Sequence, residues 1–162
     1  MAQVDAFLDL QGITGESLDA IHTKQIEVLS MSWGVSNSGS AQSMSGSGSG
    51  KAQVHDLNIT KMADAASTPL IQACVMGTHI PSGTLTLRKA GGSSALEYMV
   101  YKLTNVFVSG VSQSSTGPEL HESVTLNFQA FTVTYASQDE TGAQAASTPF
   151  GYDIAKNQQQ SS

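Results

Sequence analysis

Leu96 to Val108 (LEYMVYKLTNVFV) is apolar on both sides of an extended strand. The even positions carry Leu96, Tyr98, Val100, Val106 and Val108, and the odd positions carry Met99, Tyr101, Leu103 and Phe107. Only one side of such a strand can pack into its own sheet core, so a helix or another chain has to cover the other. The stretch therefore predicts a mainly β fold with apolar surface left for a further contact.

Further strands are predicted on both sides of this stretch. Val4 to Leu10 alternates as a half-buried strand does, and Gln53–Thr60, Gly83–Lys89 and Val124–Tyr135 follow the same reading. Ile26 to Val35 (IEVLSMSWGV) is predicted as one strand. Its apolar parity carries Leu29, Met31, Trp33 and Val35, and its other parity ends in the small polar residues Ser30 and Ser32.

One helix is predicted over about residues 68–77. Ser67 or Thr68 is the expected N-cap, Pro69 falls in the first turn, and Gly77 ends the helix. Apolar residues fill nearly every position between them, which is typical of a helix buried on nearly all sides. We expect a neighbouring subunit to cover the face that one chain leaves open.

A low-complexity arm occupies Ser36 to Gly50 (SNSGSAQSMSGSGSG), with seven Ser and four Gly in fifteen residues. Because it lies between two predicted strands, it is interpreted as a long hairpin arm rather than a linker between domains. A loop of this length is usually either functional or disordered. We expect one domain over residues 1–157 and a frayed tail over residues 158–162.

Charge and cysteine content exclude several classes of protein. Seven Lys and Arg face thirteen Asp and Glu, for a net charge of −6, and the basic residues do not cluster. This disfavours nucleic-acid binding and attachment to an anionic membrane. One cysteine, Cys74, excludes an intramolecular disulfide framework. The first residues lack a basic segment and carry Asp5 and Asp9, so we expect no cleavable signal peptide and synthesis in the cytoplasm.

No catalytic, cofactor or metal site is predicted. Ser45 to Ala52 (SGSGSGKA) imitates a phosphate-binding loop, but it lacks the first glycine and the Ser or Thr after Lys51, and it leads into a strand. A G-x-S-x-G motif is absent from the sequence, and the four histidines are dispersed. We therefore expect a protein that is not an enzyme, without a cofactor or metal ion.

Arg88 and Lys89 end a strand at a glycine turn and admit two interpretations. They are either a solvated hairpin tip or a contact with an acidic patch of another subunit, such as one containing Asp139 and Glu140.

The sequence resembles the Hcp family, the haemolysin-coregulated proteins of the type VI secretion system, over Phe7 to Asn157. The most specific match starts at Ser67-Thr68-Pro69-Leu70 and ends at Leu85-Thr86-Leu87-Arg88-Lys89-Ala90-Gly91-Gly92, with Ala73-Cys74, Gly77 and His79 between. Weaker matches are Ser32-Trp33-Gly34, Glu122 to Phe128, and Gly151-Tyr152-Asp153-Ile154.

The resemblance implies a compact two-sheet β-barrel with one flanking helix. It further implies six copies in a ring, rings stacked into a tube, a VgrG-type spike at the tip, a contractile sheath around the tube, and effector proteins carried in the lumen. Such a protein is assembled in the cytoplasm and then secreted.

The resemblance also assigns expected roles to surface residues. Ser30 and Ser32 are expected to face the lumen and its cargo. Contacts with the next subunit or ring are expected from the arm, the helix and the strand end: Ser40, Met44, Ser47, Leu70, Val75, Arg88 and Lys89.

Three other classes remain open at this stage. A monomeric β-barrel that binds a small apolar ligand would have an empty interior, whereas the strands, rich in Leu and Val, favour a filled one. A hydrolase with a hidden site is a second alternative. A tail-tube protein of a contractile phage shares the expected architecture and is a third.

Overall fold

The structure is a computed structural model, and it describes residues 4–41, 51–89, 96–141 and 143–160. Eleven strands and one helix lie in these ranges. They are β1 (Val4–Leu10), β2 (Ile26–Val28), β3 (Ser30–Ser32), β4 (Val35–Asn37), β5 (Ala52–Val54), β6 (Leu57–Met62), α1 (Ser67–Met76), β7 (His79–Lys89), β8 (Leu96–Thr116), β9 (Glu119–Gln138), β10 (Gln144–Asp153) and β11 (Gln158–Gln160).

Nine strands form one antiparallel sheet in the order β11-β10-β9-β8-β7-β1-β2, with β6 also paired to β9 and β3 paired to β6. The second sheet is the two-stranded ribbon β4-β5. The prediction of a mainly β fold with two sheets and one helix is confirmed. The expected barrel, however, is not closed by hydrogen bonds among the described residues. β2 pairs with β1, and β3 pairs with β6. The strand is interrupted between β2 and β3 at Leu29, and at this point Ile26 and Val28 pack in the core instead of pairing with β6.

The predicted single strand from Ile26 to Val35 is wrong, because it consists of three short strands. Ile26 and Val28 are buried, Leu29 is 59% exposed, and then Met31 and Trp33 turn towards the core. The extra residue at Leu29 therefore moves the inward-facing side chains from even to odd positions. Ser30 and Ser32 remain exposed, as the alternation around them predicted.

The alternation of buried residues also changes along β8, here without an inserted residue, so the two sides of this strand are not uniform faces. Leu103 is buried on one side of Asn105, and Val106 and Val108 are buried on the other. Asn105 has a φ of 52°, a left-handed conformation that Asn tolerates better than most residues.

The outer side of the sheet beside β8 is covered by a loop of the same chain rather than by a helix. Phe7, Thr86 and Val100 lie side by side on β1, β7 and β8, and Phe7 and Thr86 are buried. The imidazole of His22, in the loop after β1, stacks on the Phe7 ring with 4.6 Å between the ring centroids.

Helix α1 lies one residue earlier than predicted and is buried on one side only. Leu70 and Ala73 are buried in the core, whereas Val75 and Met76 are 76% and 70% exposed. The expectation of burial on nearly all sides is thus wrong within a single chain. The N-cap is Ala66 rather than the predicted Ser67 or Thr68, and it gives no side-chain cap because its methyl group cannot accept a hydrogen bond. Gly77 ends the helix with a φ of 66°.

Short strands lie at the base of the arm and in the C-terminal segment. β4 and β5 pair at the base of the arm, whereas Met44 and Ser47 lie outside the described residues. Gln158–Gln160 pair with Gly151–Asp153, so the expectation of a frayed tail does not hold for these three residues.

Candidate functional surfaces

A polar, uncharged face runs across four neighbouring strands. Strand register places Ser32, Asn58, Thr125 and Gly110 in one row, and Ser30, Thr60, Ser123 and Ser112 in the next. We call these eight residues the polar face. Their strands are β3, β6, β9 and the second half of β8. Alternation along β3, β6 and β9 sends these side chains outward, because the intervening residues Ile59, Val124 and Leu126 fill the core. In β8 a register shift between Val108 and Gly110 brings Gly110 and Ser112 to the same side.

Hydrogen bonds between strands hold the polar face in place. Ser30 Oγ and Thr60 Oγ1 are 2.5 Å apart, and Asn58 Nδ2 donates to Thr125 Oγ1 over 3.1 Å. Ser123 Oγ donates to Asn58 Oδ1 over 3.1 Å. A face of this kind offers neutral donors and acceptors to a passing protein surface and has no charge that would select strongly for one partner.

Asp56 lies beside one end of the polar face and is held by neighbouring side chains. It accepts hydrogen bonds from Ser109 Oγ over 2.9 Å and from Asn127 Nδ2 over 2.9 Å. Its carboxylate is therefore partly engaged within the chain.

Both edges of this four-stranded region are open in the described residues. β3 pairs with β6 alone, and β8 pairs with β9 alone beyond Phe107, where its pairing to β7 ends. Unpaired backbone N–H and C=O groups at such edges are ready to pair with another chain. The polar face can therefore be extended on either side by a strand from a second copy.

An apolar groove lies between the β4-β5 ribbon and strands β9 and β10. Its volume is about 620 Å³, and all its lining residues are uncharged: Trp33, Val35, Ser36, Asn37, Ala52, Val54, Phe131, Val133, Thr148, Phe150 and Tyr152. Val35 and Phe150 are 57% and 48% exposed. We call it the arm-base groove. An exposed apolar groove of this kind is a candidate surface for contact with another chain.

Aromatic packing shapes the floor of the arm-base groove. The Trp33 ring stands edge-on to Phe131 and to Tyr101, with centroid distances of 5.1 Å and 5.8 Å. Burial, and to a lesser extent the nearby Tyr98, raises the pKa of Tyr101. Tyr101 therefore stays neutral at physiological pH and adds no charge beneath the groove.

The C-terminal end of α1 forms a separate exposed apolar patch. Val75 and Met76 project from the last turn, and Gly77 packs near Phe107, so that a Cβ atom there would lie 3.8 Å from the ring. His79 lies against Phe107 and its Nδ1 is 3.0 Å from Asn105 Oδ1. These contacts fix the end of the helix. We call its two exposed side chains, Val75 and Met76, the helix knob.

A buried charge network anchors the start of α1 to the strands of the polar face. Lys61 Nζ lies 2.5 Å from Glu122 Oε1 and 2.8 Å from an Asp64 oxygen. Glu122 also accepts hydrogen bonds from Ser67 Oγ and Gln113 Nε2, each over 2.6 Å. Burial by itself raises the pKa of Glu122, but the hydrogen bonds from Lys61, Ser67 and Gln113 outweigh it and lower the pKa below its usual value.

A second ion network fastens the loop after β1 to the sheet. Arg88 donates to Asp19 over 2.6 Å and to Asp5 over 3.1 Å, and its guanidinium lies 5.0 Å from the centroid of the Phe7 ring. The hydrogen bond from Arg88, aided by two backbone N–H groups of the loop, holds the pKa of Asp19 well below its usual range. His22 Nε2 lies 2.7 Å from Glu97 Oε1 in the same cluster.

Of the residues expected to contact another subunit, some are buried within the chain and others are exposed. Leu70 is fully buried in the core, and Arg88 is 8% exposed and engaged by two carboxylates of its own chain. Neither is a surface contact, and Arg88 is not a solvated hairpin residue. Three of the expected residues remain on the surface: Ser40, Val75 and Lys89. The Lys89 ammonium lies 4.9 Å from the centroid of the Tyr98 ring.

Metal-binding and membrane-spanning features were also sought in the described parts of the chain. There, His, Cys, Asp and Glu side chains do not gather in groups of three or more that could hold a metal ion. Within the same ranges, the structure has no helix with the length and hydrophobicity needed to span a membrane.

The polar face and open edges define a β-rich protein with surfaces suited to contacts between chains. The family model for the type VI secretion system effector Hcp matches residues 7–135, and the chain belongs to this family. The chain is 42% identical over 159 residues to protein hcp1 of Pseudomonas aeruginosa, covering 96% of this chain and 98% of the relative.

Solved structures agree with this assignment. A structure described as a type six secretion system protein superposes with a TM-score of 0.90 at 31% identity, covering 98% of this chain and 100% of the other. Hcp1 from Salmonella typhimurium gives a TM-score of 0.77 at 34% identity, covering 98% and 99%.

The buried charge network was missed by sequence reasoning, although the sequence contains a signal for it. Lys61 shares its strand parity with the buried Leu57 and Ile59, and Glu122 shares its parity with Val124 and Leu126. A lysine and a glutamate on inward-facing parities of two strands indicate a buried pair if the strands are adjacent. Strand register does place Lys61 opposite Glu122.

Proposed function

We propose that this chain is a non-enzymatic structural subunit of the type VI secretion tube. Six copies form a ring, rings stack into a tube, and a contractile sheath drives the tube out of the cell behind a VgrG-type spike. Effector proteins travel in the lumen, and the subunit itself leaves the cell. Membership of the Hcp family, together with a polar face bounded by two open strand edges, carries this proposal.

The polar face supports its role as the wall of a lumen. A wall that must hold different proteins without trapping them benefits from neutral polar groups, because exposed charges select for complementary surfaces. Ser30 and Ser32 lie on the edge strand β3 and are exposed, which suits direct contact with cargo. The hydrogen bonds between Ser30 and Thr60 and between Asn58 and Thr125 keep the wall rigid.

The open edges support ring formation. Backbone pairing between the β3 edge of one copy and the β8 edge of the next would join polar faces into a continuous wall. Because the two edges differ, the contact is heterologous, and repetition closes a ring when the rotation per copy divides a full turn.

The arm and the remaining surface residues complete the assembly. Ser40, Met44 and Ser47 of the arm, with Val75 and Lys89, contact the next subunit or ring in this proposal. The pairing of β4 with β5 joins the two ends of the arm at its base. Deletion of residues 40–49 should leave rings intact and impair stacking and secretion; unchanged tube formation would refute the role of the arm.

Electron microscopy of the purified protein, with its mass measured in solution, tests the assembly directly. Rings of six copies with a central pore are expected. A species that stays monomeric at micromolar concentration would overturn the tube proposal and would favour a monomer that binds a small apolar ligand in the arm-base groove.

A pair of substitutions tests the lumen. Ser30→Gln with Ser32→Gln enlarges two side chains on the polar face without adding charge, so rings should persist while retention of effectors falls. Ser147→Gln, on the exposed part of β10, is the matched control. Equal retention in both variants would remove Ser30 and Ser32 from the cargo surface.

A further inference from the structure

We infer that the helix knob of one copy, Val75 and Met76, inserts into the arm-base groove of the next copy. This inference rests on the proposed assembly and names the two surfaces that meet in it. It joins the exposed end of α1 to the groove beside the β4-β5 ribbon, two apolar surfaces that the described residues of one chain leave open.

The chemistry of the two surfaces matches. Every lining residue of the groove is uncharged, and between Asp64 and Arg88 the chain has no Asp, Glu, Lys or Arg. Copies with a net charge of −6 repel one another, so close contact is favoured where both surfaces are neutral. Met76 is well suited to a groove with an aromatic floor, because its flexible thioether adapts to irregular apolar surfaces and packs favourably against rings.

Other exposed apolar side chains fit the groove less well. Leu18 and Ile21 are 93% and 70% exposed, but they lie on a loop beside Glu16 and Asp19. Leu29 is 59% exposed and lies beside Glu27. Insertion of either segment would bring carboxylates to an apolar rim, where their desolvation is costly. Val75 and Met76 have no such neighbours and are held at the end of a regular element.

The geometry also gives the contact a direction. The knob and the groove have no residue in common, so one copy can use its groove for one neighbour and its knob for another. In that arrangement the contact is heterologous and propagates from copy to copy. It therefore suits the assembly proposed above.

Chemical cross-linking between two separately purified variants tests the inference. Both carry Cys74→Ala to remove the native thiol; one adds Met76→Cys and the other Val35→Cys, which lies on the groove wall and is 57% exposed. After the variants are mixed and treated with a short bis-maleimide, a cross-linked dimer should form, and neither variant should give one alone. Leu18→Cys mixed with Val35→Cys is the control for chance encounters.

The outcomes separate this inference from the tube proposal. Rings that form without a cross-link between positions 35 and 76 would overturn the knob-and-groove contact and leave the tube proposal standing. A cross-link equally strong in the Leu18→Cys control would also overturn it. Failure of the parent chain to form rings counts against the tube proposal, and a specific cross-link would still establish the contact.

A charge placed on the knob gives an independent readout. Met76→Glu changes an exposed side chain, so the chain should fold with unchanged circular dichroism while rings are lost at micromolar concentration. Leu18→Glu should keep its rings. Rings of normal stability in the Met76→Glu variant would contradict the insertion of Met76 into an apolar groove.

Discussion

Replacement of Lys61 by Met should destabilise the protein strongly at neutral pH and much less in acid. Lys61 is fully buried and lies 2.5 Å from Glu122, which is 2% exposed. Removal of one partner of a buried ion pair costs about 3–5 kcal/mol, because the other charge is left without compensation. Ser67 and Gln113 still donate to Glu122, so we expect the lower end, about 3 kcal/mol. In a chain of this length such a loss lowers Tm by about 6–12 °C.

The pH dependence identifies the cause. In the native protein the pKa of Glu122 is below its usual 4.5, so the stability that the ionised carboxylate contributes is fully present above pH 4.5 and is lost as the pH falls from there through the lowered pKa of the folded protein. In Lys61→Met the ammonium is gone and burial raises the pKa of Glu122. The free energy of unfolding of the variant is therefore lowered at pH 7, where the buried carboxylate is charged, and rises again when the carboxyl is protonated. The difference between the two proteins should therefore shrink on acidification.

Urea unfolding at equal protein concentration, at pH 7 and at pH 4, measures this difference. Lys102→Met, on an exposed position of β8, is the control and should change the free energy of unfolding by no more than about 0.5 kcal/mol. Lys61→Met with Glu122→Gln should recover part of the loss at pH 7, because no buried charge is left unpaired at that position. A loss in Lys61→Met of the same size at both pH values would refute the electrostatic explanation.

Three further predictions concern the loop after β1 and the end of the helix. Gly15→Ala would place a Cβ atom 2.5 Å from the backbone oxygen of Gln25, so urea unfolding should show a loss of about 3 kcal/mol; Gly34→Ala, whose nearest contact is 3.8 Å away, should be nearly neutral. Gly77→Ala forces a left-handed conformation with a φ of 66° on a residue with a side chain and should cost about 1–2 kcal/mol in thermal unfolding, and a smaller loss is expected for Asn. Asp19→Asn removes the charge held by Arg88 and should speed amide hydrogen exchange in the loop at pH 7, whereas Glu16→Gln should not. Because the pKa of Asp19 is depressed, the native loop should lose the same protection as the pH falls below the usual 3.8, and protection that persists in Asp19→Asn would contradict this.

Features that depend on local sequence were predictable here. Pro69 and Gly77 placed α1 to within one residue, because a proline in the first turn and a glycine after the last are direct consequences of backbone geometry. The alternation of Ser30 and Ser32 with apolar residues likewise predicted their exposure. The Hcp motifs indicated the family that the comparisons show.

Features that depend on irregular backbone or on partners distant in sequence were not predictable from alternation. A single inserted residue at Leu29 inverts the side-chain parity of the strand, and a pattern of period two cannot locate it. In β8 the buried side changes at Asn105, which has a positive φ but is not an inserted residue, although an asparagine within an apolar strand is a recognisable place for such a φ. The engagement of Arg88 by Asp19 and Asp5 joins segments more than sixty residues apart, and no local pattern indicates it.

Strand β9 contributes to two surfaces along its length. In the first half of β9, Ser123 and Thr125 face outward on the polar face; further along, Phe131 and Val133 line the arm-base groove. Both halves belong to one continuous antiparallel ladder with β8, so no flexible linker separates the two surfaces. Their relative orientation is thus as rigid as the strands themselves. In the proposed assembly a neighbour in the groove would consequently also fix the angle between successive polar faces, which a ring of constant diameter requires.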